Sequence, residues 1–509
     1  MKNYIKYCLL SLSLIFISGC SEEFLEVDPI ANTLESNYYQ TEEEMYAALV
    51  ASYDPIGWLS GDFVTKLTAL NAASDDVYAG GGSSTDVPSL QAVSSYNLTA
   101  ETGPQSSLWN KGYSGIYRVN TLLVKIEGAE VSEAIKSRYV AEAKFLRAFY
   151  YFDLIRLFYS IPLITEPVIP DQMFEVEQDT REAVFKQIED DLLEAIPSLP
   201  DQVNVSVEGG RATKGAAISL LGKVYLELED YTLAAEQFEK VNGTPGATSP
   251  FGYSLLENYA DLFRTDNEFN SESIFEVSHS ALANGVWDCM PCTEGNIINI
   301  MAGPRGYNIS NTSAGAPSFV SGYGCFVVTE GLVDAFQLGG GQFDPRYSTT
   351  ISNVDSLQQA GVVTYEPSYK NTGYFLKKFI GRTEDVTSGG GATELNFPQN
   401  NYEMRLADIY LLEAEALVRG GINTTRAQQL LDAVRDRVGL DPVPATFENI
   451  MNERRLELAG EGHRWFDLVR TGLAATALKD KGYVEGKHDK LPIPLRELTN
   501  TSLVQDPAY

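Results

Sequence analysis

Apolar residues recur every three to four positions over most of the first half of the chain, and this spacing predicts buried or amphipathic helices. The most apolar stretch, 145–164, contains three charged residues. It therefore predicts a buried helix that stops before Pro162, and not a membrane-spanning segment. The predicted helical stretches are 108–126, 135–158, 183–196 and 216–228.

The stretch 216–241 predicts a helical pair of the tetratricopeptide (TPR) type. Small residues such as Gly222 would let two helices approach, and large residues such as Phe238 would fill the groove between them. An ordinary helical hairpin is the alternative. A second pair with a glycine break, 404–421 and 425–440, lies far along the chain, so a plain solenoid is not expected.

The region between these helical pairs has a different composition. Residues 243–400 hold 20 of the 42 glycines and only short apolar runs. This predicts Gly- and Tyr-rich loops with short strands, and loops on a rigid scaffold commonly carry binding surfaces. The predicted fold is therefore mainly α, with a TPR-like scaffold that carries a loop-rich irregular region. Its predicted parts are a helical part at 20–242, a loop-rich, ligand-facing region at 243–400 and a C-terminal helical part at 401–509.

The N-terminus has the pattern of a secretory signal. Lys2 and Lys6 precede an apolar run of about eleven residues, which is too short to cross a bilayer as a helix. Residues 17–20, Ile-Ser-Gly-Cys, resemble the lipobox of bacterial lipoproteins, which implies removal of the signal peptide at 1–19 and acylation of Cys20. Several acyl chains anchor a protein firmly, at ~0.8 kcal/mol per buried CH2. The alternative is a secreted protein with an accidental cysteine.

The charge balance excludes two classes of partner. The 509 residues carry 69 Asp and Glu against 38 Lys and Arg, a net charge of -31, and such a surface repels nucleic acid and anionic membrane. Three common catalytic motifs, HExxH, GxSxG and Walker A, are missing from the sequence, so no enzyme is predicted. A glycosidase needs only two carboxylates at a set separation, and the many acids leave that alternative open.

Metal and cofactor signals are weak. Cys289 and Cys292 have a CxxC spacing, but no second CxxC or His pair accompanies them. A local disulfide or two free thiols is therefore favoured over a metal or redox site, and Cys325 could pair with either cysteine. Residues 266–273 have the alternating oxygens of a calcium loop but lack Gly at the sixth position, so calcium is a weak option and no cofactor is predicted.

Several long sequence motifs occur in a fixed order along the chain. They are EAKFLRAFYYFDL at 142–154, RLADIYLLEAEA at 405–416, ERRLELAGEGHRWFDLVRTG at 453–472, LPIP at 491–494 and QDPAY at 505–509. Together they resemble the SusD/RagB family of nutrient-uptake lipoproteins of the Bacteroidetes over nearly the whole mature chain. The acidic residues after Cys20 are similar to the signal that sends such lipoproteins to the outer face of the outer membrane.

The resemblance implies a mostly helical fold with four TPR-like pairs. It also implies a lid that sits on a SusC-like TonB-dependent transporter, with its TPR-like face against the barrel, and passes oligosaccharides or peptides into it. The charged motif at 453–472 is predicted to be scaffold, because helical spacing places its charges in rows and its apolar residues in the core. A surface glycoside hydrolase and a TPR scaffold that binds only protein are the alternatives.

Binding of neutral sugars needs flat aromatic faces and nearby polar side chains. Trp58 and Trp287 lie beside glycines in turn-rich segments, so they are predicted to be ligand platforms, with loop packing as the alternative. Weaker candidates near glycine-rich or turn segments are Tyr78 with Asp75 and Asp76, Tyr307 and Tyr323. The sequence thus predicts a cell-surface, non-catalytic lipoprotein that binds a glycan.

Overall fold

The structure is a computed structural model that describes residues 38–509 apart from 61, 170–171, 283–284, 313–314 and 387–389. The predicted signal peptide and the Cys20 anchor lie outside the described residues. Within the described part of the chain, no helix is long and apolar enough to span a membrane.

Helices dominate the described chain, as the apolar spacing predicts. Those before residue 243 are α1 (Glu42–Tyr53), α2 (Lys66–Ala73), α3 (Pro88–Ser94), α4 (Gln105–Lys125), α5 (Glu133–Phe158), α6 (Arg181–Ala195), α7 (Val205–Glu208), α8 (Lys214–Glu227) and α9 (Tyr231–Asn242). Those after it are α10 (Ile298–Ala302), α11 (Glu330–Ala335), α12 (Tyr347–Thr350), α13 (Val354–Gln359), α14 (Leu406–Arg419), α15 (Thr424–Asp436), α16 (Phe447–Glu457), α17 (Arg464–Arg470), α18 (Ala474–Ala477) and α19 (Leu495–Leu498).

The strands are short and form small antiparallel sheets. They are β1 (Val77–Gly80), β2 (Ser273–Val277), β3 (Asn308–Ile309), β4 (Cys325–Val328), β5 (Gln337–Gly339), β6 (Gln342–Phe343), β7 (Ile351–Asn353), β8 (Val363–Thr364), β9 (Tyr374–Leu376) and β10 (Asn401–Arg405). One sheet has the order β1-β4-β9-β7, and three strand pairs join β10 with β2, β3 with β8 and β5 with β6. The predicted fold class, mainly α with short strands, is confirmed.

The predicted TPR unit at 216–241 corresponds to α8 and α9, which pack against each other. Asp230 caps α9, because its side chain accepts a hydrogen bond from the backbone N–H of Leu233 (3.0 Å). A Cβ on Gly222 would lie 2.5 Å from the Phe238 ring. Glycine therefore lets the two helices approach, and Phe238 fills the groove between them.

The two predicted helical pairs are separated in sequence but adjacent in space. Helix α9 packs against α14, where the Asn242 side-chain amide donates to the backbone oxygen of Ile409 (3.2 Å) and to the Glu413 carboxylate (2.7 Å). The loop-rich chain between them is thus inserted into a scaffold whose helices pack together.

A buried network of ion pairs joins the loop-rich region to this scaffold. Glu457, at the end of α16, accepts hydrogen bonds from Arg346 (2.9 Å) and Arg405 (2.6 Å), and all three side chains are fully buried. Burial alone would raise the pKa of Glu457, but the charges of Arg437 and Arg405 hold that pKa well below its usual value. The motif at 453–472 therefore supplies buried charges that hold the scaffold together, in line with its prediction as scaffold.

The four-stranded sheet draws N-terminal residues into the loop-rich region. Strand β1 pairs with β4, with Tyr78 opposite Val327 and Gly80 opposite Cys325. We call the loops around this four-stranded sheet the loop-bearing face. Because β1 belongs to the sheet, this face includes residues from before 243 as well as from 243–400.

Candidate ligand-binding site

Three aromatic side chains, Phe63, Trp287 and Tyr323, form a partly exposed group on the loop-bearing face. The ring centroid of Phe63 lies 6.1 Å from that of Trp287, edge to face, and 6.0 Å from that of Tyr323. Trp287 is 45% exposed, and the other two residues are half-buried. We call these three residues the aromatic cluster. Its exposed surface can contact the C–H faces of a sugar ring.

Backbone geometry holds Phe63 in the cluster. Its φ is +62°, a left-handed conformation that is costly for a bulky residue and persists only where the surroundings impose it. The Phe63 N–H donates to the backbone oxygen of Ser60 (3.1 Å). The neighbouring Asp62 carboxylate accepts from the hydroxyls of Ser60 and Ser89, so hydrogen bonds also hold the residue before Phe63.

The loop that carries Trp287 is fixed before and after the indole. Before it, the Gly285 N–H donates to the buried Asn396 side chain (3.0 Å), and the Gly285 carbonyl accepts from the Ala392 N–H (2.9 Å). After it, a disulfide closes the segment 289–292. These contacts hold a largely exposed side chain on a short, restrained loop.

The sequence favoured either a local disulfide or two free thiols at this CxxC spacing. In the structure, Cys289 and Cys292 form the disulfide. Cys325, which the sequence left as a third partner, is a free thiol buried in β4. Burial raises the pKa of this thiol to about 12.

Polar groups surround Tyr323. Its backbone N–H donates to the carbonyl of Ile300 (2.9 Å), and its carbonyl accepts from Arg305 Nη1 (3.2 Å). No carboxylate in the described part of the chain lies within ion-pair distance of Arg305, so its guanidinium can donate to ligand hydroxyls. Burial and the nearby Glu394 carboxylate raise the pKa of Tyr323 to about 12. The Tyr323 hydroxyl is therefore neutral at physiological pH.

Scaffold arginines contact the two acidic candidates, Asp75 and Asp76, whose role at a ligand site stays a prediction. The Asp75 carboxylate accepts two hydrogen bonds from Arg464 (2.8 Å each), and Asp76 accepts one from Arg455 (2.7 Å). Asp76 is also buried. Arginines of the scaffold engage both Asp75 oxygens and one Asp76 oxygen, while Asp76 Oδ2 is buried without a hydrogen-bond partner in the described chain.

Tyr307 and Tyr78 both have partners within the protein, and their role at a ligand site stays a prediction. Tyr307 is buried, with its ring centroid 5.5 Å from that of Phe319 and its hydroxyl donating to the carbonyl of Pro317 (2.8 Å). It is a core residue. Tyr78 is half-buried, and Lys370 Nζ lies 4.8 Å from its ring centroid, so a cation already contacts that ring.

Trp58 lies between two cavities of about 300 and 440 Å³. Its Nε1 donates to Asp54 Oδ2 (2.8 Å), and the guanidinium carbon of Arg118 lies 4.9 Å from its ring centroid. The indole is thus held in one orientation, and its role as a ligand platform stays a prediction.

Two residues of the site, Phe63 and Arg305, are absent from the sequence prediction. In the stretch 58–63 the indole of Trp58 is the stronger signal, although the Gly-Asp pair before Phe63 is also a turn signal that would have pointed to it. Arg305 stands two residues before the candidate Tyr307, but only the tertiary fold brings it to Tyr323.

Among the described residues, no group of three or more His, Cys, Asp and Glu side chains is placed to hold a metal ion. In the weak calcium candidate at 266–273, Asp266 pairs with Arg264 (2.6 Å) and Glu272 pairs with Arg405 (2.8 Å). Arginine therefore engages acids that a calcium loop would need.

Comparison with known proteins places this geometry in a family. The SusD family pattern matches residues 298–502, and a related pattern, described as starch-binding associating with outer membrane, matches residues 23–226. The solved structure of a laminarin-binding SusD-like protein is 47% identical to the chain and covers 92% of it and 100% of its own chain, with a TM-score of 0.88. The chain belongs to the SusD family.

Other SusD relatives cover the chain equally broadly. SusD-like protein P25 from Formosa agariphila is 29% identical over 98% of this chain and 96% of its own. Surface glycan-binding protein A from Bacteroides thetaiotaomicron, solved in complex with laminarihexaose, is 26% identical over 92% of this chain and 100% of its own, with a TM-score of 0.80. The starch-binding protein SusD from the same species is 24% identical over 88% of this chain and 86% of its own.

The SusD family patterns cover the aromatic cluster only in part. Phe63 and Tyr323 lie within the two matched segments, whereas Trp287 and its disulfide lie between them, in 227–297.

Proposed function

We propose that this SusD family protein is a cell-surface, non-catalytic lipoprotein that captures a neutral glycan on the aromatic cluster, with laminarin as the first candidate. The observation that carries the proposal is the cluster itself, in which contacting rings include a Trp287 that is 45% exposed. An exposed aromatic surface beside polar groups suits the apolar faces and hydroxyls of sugars. The 47% identity to a laminarin-binding relative supports the choice of glycan.

The net charge favours an uncharged polysaccharide. Arg305 and the neutral hydroxyl of Tyr323 can hydrogen-bond with sugar hydroxyls. The net charge of -31 repels acidic polymers such as uronic-acid chains. A neutral glucan meets both conditions.

In this proposal a lipid on Cys20 tethers the protein to the outer face of the outer membrane. The loop-bearing face holds the glycan, and the TPR-like helices contact a SusC-like TonB-dependent transporter that receives it. The lipobox-like residues 17–20 and the family description, which refers to association with the outer membrane, support this arrangement.

The first test is binding of the mature protein, produced from residue 21, to an array of polysaccharides that includes laminarin, followed by calorimetry. We expect Trp287→Ala to weaken laminarin binding about tenfold or more, or ~1.4 kcal/mol, because it removes the most exposed ring of the cluster. Phe174→Ala is the matched control, since Phe174 is 54% exposed and lies beside Ser502. Unchanged affinity in both Trp287→Ala and Phe63→Ala would refute the site.

Product analysis of each binding mixture separates capture from hydrolysis. We expect the glycan to be recovered intact, and release of reducing sugar by the pure protein would contradict a non-catalytic role. Co-purification of a TonB-dependent barrel from solubilised outer membranes tests delivery. Loss of labelled palmitate in Cys20→Ser tests the anchor.

A further inference from the structure

The cavity of about 300 Å³ beside Trp58 is separate from the aromatic cluster in its lining residues. It lies between α1 with the following turn, Asp54–Gly57, and the segments 207–211, 275–279 and 293–294. Tyr46 and Val207 at its edge are exposed, so it opens to solvent. Its volume is at the lower end of the roughly 300–1,000 Å³ of small-molecule sites.

The indole of Trp58 is oriented before any ligand arrives. Asp54 Oδ2 accepts hydrogen bonds from both Trp58 Nε1 (2.8 Å) and Arg118 Nη1 (2.5 Å). The Arg118 guanidinium contacts the ring at 4.9 Å, while the indole borders the cavity. A platform whose rotamer is locked in this way loses little conformational freedom when it binds.

Two polar groups of the cavity are unpartnered within the described chain. The hydroxyl of Thr293, a residue that is only 5% exposed, has no hydrogen-bond partner there. The neighbouring Glu294 is exposed, and its carboxylate also has no partner among the described residues. Leaving a buried hydroxyl unpaired costs free energy that a ligand hydroxyl would recover.

The charges of the cavity disfavour an anionic ligand. Arg118 is paired with Asp54, and Arg211, the cation in the lining, is paired with Glu142 (2.5 Å) and Glu208 (2.6 Å). No unpaired cation of the described lining residues is therefore available, while acceptors and hydroxyls are. An aromatic face with acceptors and a free hydroxyl is the chemistry that binds a neutral sugar.

Two chain segments connect this cavity to the aromatic cluster. Trp58 and Phe63 are five residues apart, so their Cα atoms are at most about 18 Å apart. Trp287 and Thr293 are six residues apart, which limits their Cα separation to about 22 Å. An oligosaccharide of several units is long enough to span such distances.

We propose that the cavity is a second saccharide subsite, which takes a neutral pyranose unit of the same glycan that lies on the aromatic cluster. Trp58 supplies the ring face, and Thr293 and Glu294 bind sugar hydroxyls. This inference rests on the proposed function, since it requires the glycan to lie on the cluster. The proposal predicts that Trp58 contributes to affinity for long chains only, whereas Trp287 contributes to affinity for chains of any length.

Calorimetry with laminarin oligosaccharides of increasing length tests the subsite on the mature protein. In the wild type, affinity should rise with chain length until both places are filled. Trp58→Ala should lower affinity for the longest oligosaccharides about tenfold and leave the shortest one that binds unchanged. Trp287→Ala should lower affinity at every length.

Two further variants guard against a merely structural effect of losing the indole. Thr293→Val keeps the shape of the side chain and removes only its hydroxyl, so it should lower affinity several-fold for long oligosaccharides alone. Tyr117→Ala changes a residue that is 56% exposed in the other cavity beside Trp58 and should have no effect. Wild-type affinities at all lengths in both Trp58→Ala and Thr293→Val would overturn the subsite while the Trp287 result still stands. Absence of binding by the wild type at every length would overturn the proposed function and the subsite together.

Discussion

Phe63 and Thr293 are both kept in states that cost free energy. Phe63 holds a φ of +62°, and Thr293 buries a hydroxyl that has no partner in the described chain. Such costs persist only where the surrounding structure imposes them, and they are frequent at binding sites. The two residues lie in the segments 58–63 and 287–294, which also carry both candidate tryptophan platforms.

The histidines predict a loss of stability in mildly acidic solution. Burial lowers the pKa of His279, His463 and His488 to about 4 in each case, below the value of about 6.5 in an unfolded chain. Between these values the unfolded chain binds more protons, so their contribution to stability is full above pH 6.5 and is lost as the pH falls toward 4. Glu268 has the opposite effect on stability. Burial raises its pKa to about 7, so its contribution to stability increases as the pH falls.

A single variant isolates one histidine from these opposing groups. The Nε2 atom of His463 is buried without a hydrogen-bond partner in the described chain. Burial lowers the pKa of His463 more than the nearby Asp408 carboxylate raises it, and the charges of Lys223 and Arg454 lower it further. We expect the fall in melting temperature between pH 7 and pH 5 to be smaller in His463→Asn than in the wild type. Equal falls in the two proteins would contradict this assignment.

At the scale of elements, the aromatic cluster is built by loops that the scaffold holds in place. Tyr323 is tied to the end of α10 through Ile300, and the Trp287 loop is tied to Asn396 and closed by its disulfide. Rigid helices thus supply the support, and the restrained loops supply the rings.

The disulfide at 289–292 should matter more for binding than for stability. It closes a loop of only 3 residues in sequence separation, and closing so short a loop removes little entropy from the unfolded chain. Without it, ligand binding must also order the Trp287 loop. We therefore expect the double variant Cys289→Ser/Cys292→Ser to bind laminarin several-fold more weakly at an unchanged melting temperature. A reductant should weaken laminarin binding by the wild type to the same extent and leave binding by the double variant unchanged. A lower melting temperature of the double variant would count against this role.

At the scale of the whole molecule, local patterns were predictable from the sequence and distant partners were not. The TPR pair follows from Gly222 and Phe238 because residues of one hairpin meet through short-range spacing. Trp287 is a candidate because it follows Gly285 in a turn-rich segment, and its role in binding stays a prediction. Asp75 pairs with Arg464, which lies 389 residues further along the chain, and no spacing rule connects the two residues. Phe63 met Tyr323 only in the folded molecule.

The buried ion network gives the whole molecule one further testable property, its cooperativity. Arg346 from the loop-rich region, Arg405 from β10 and Arg437 beyond α15 all contact the Glu457 carboxylate. Glu457→Gln would leave buried guanidinium charge without its partner, which typically costs ~3–5 kcal/mol. We expect a loss of that size in the free energy of unfolding in urea. Asp190→Asn, which breaks an exposed pair with Lys186, should have little effect because solvent screens such pairs.

The shape of the same urea transition tests whether the network joins the loops to the helices. Tryptophan fluorescence reports on the loops through Trp58 and Trp287 and on the scaffold through Trp109 and Trp465, whereas far-UV circular dichroism reports on the helices. In the wild type both signals should change together, because the loops cannot leave the scaffold without exposing paired buried charges. In Glu457→Gln the part of the fluorescence change that comes from the loop tryptophans should occur at lower urea than the loss of helix, since the loops have lost a main attachment. Coincident transitions in the variant would mean that apolar packing, and not the ion network, couples the two parts.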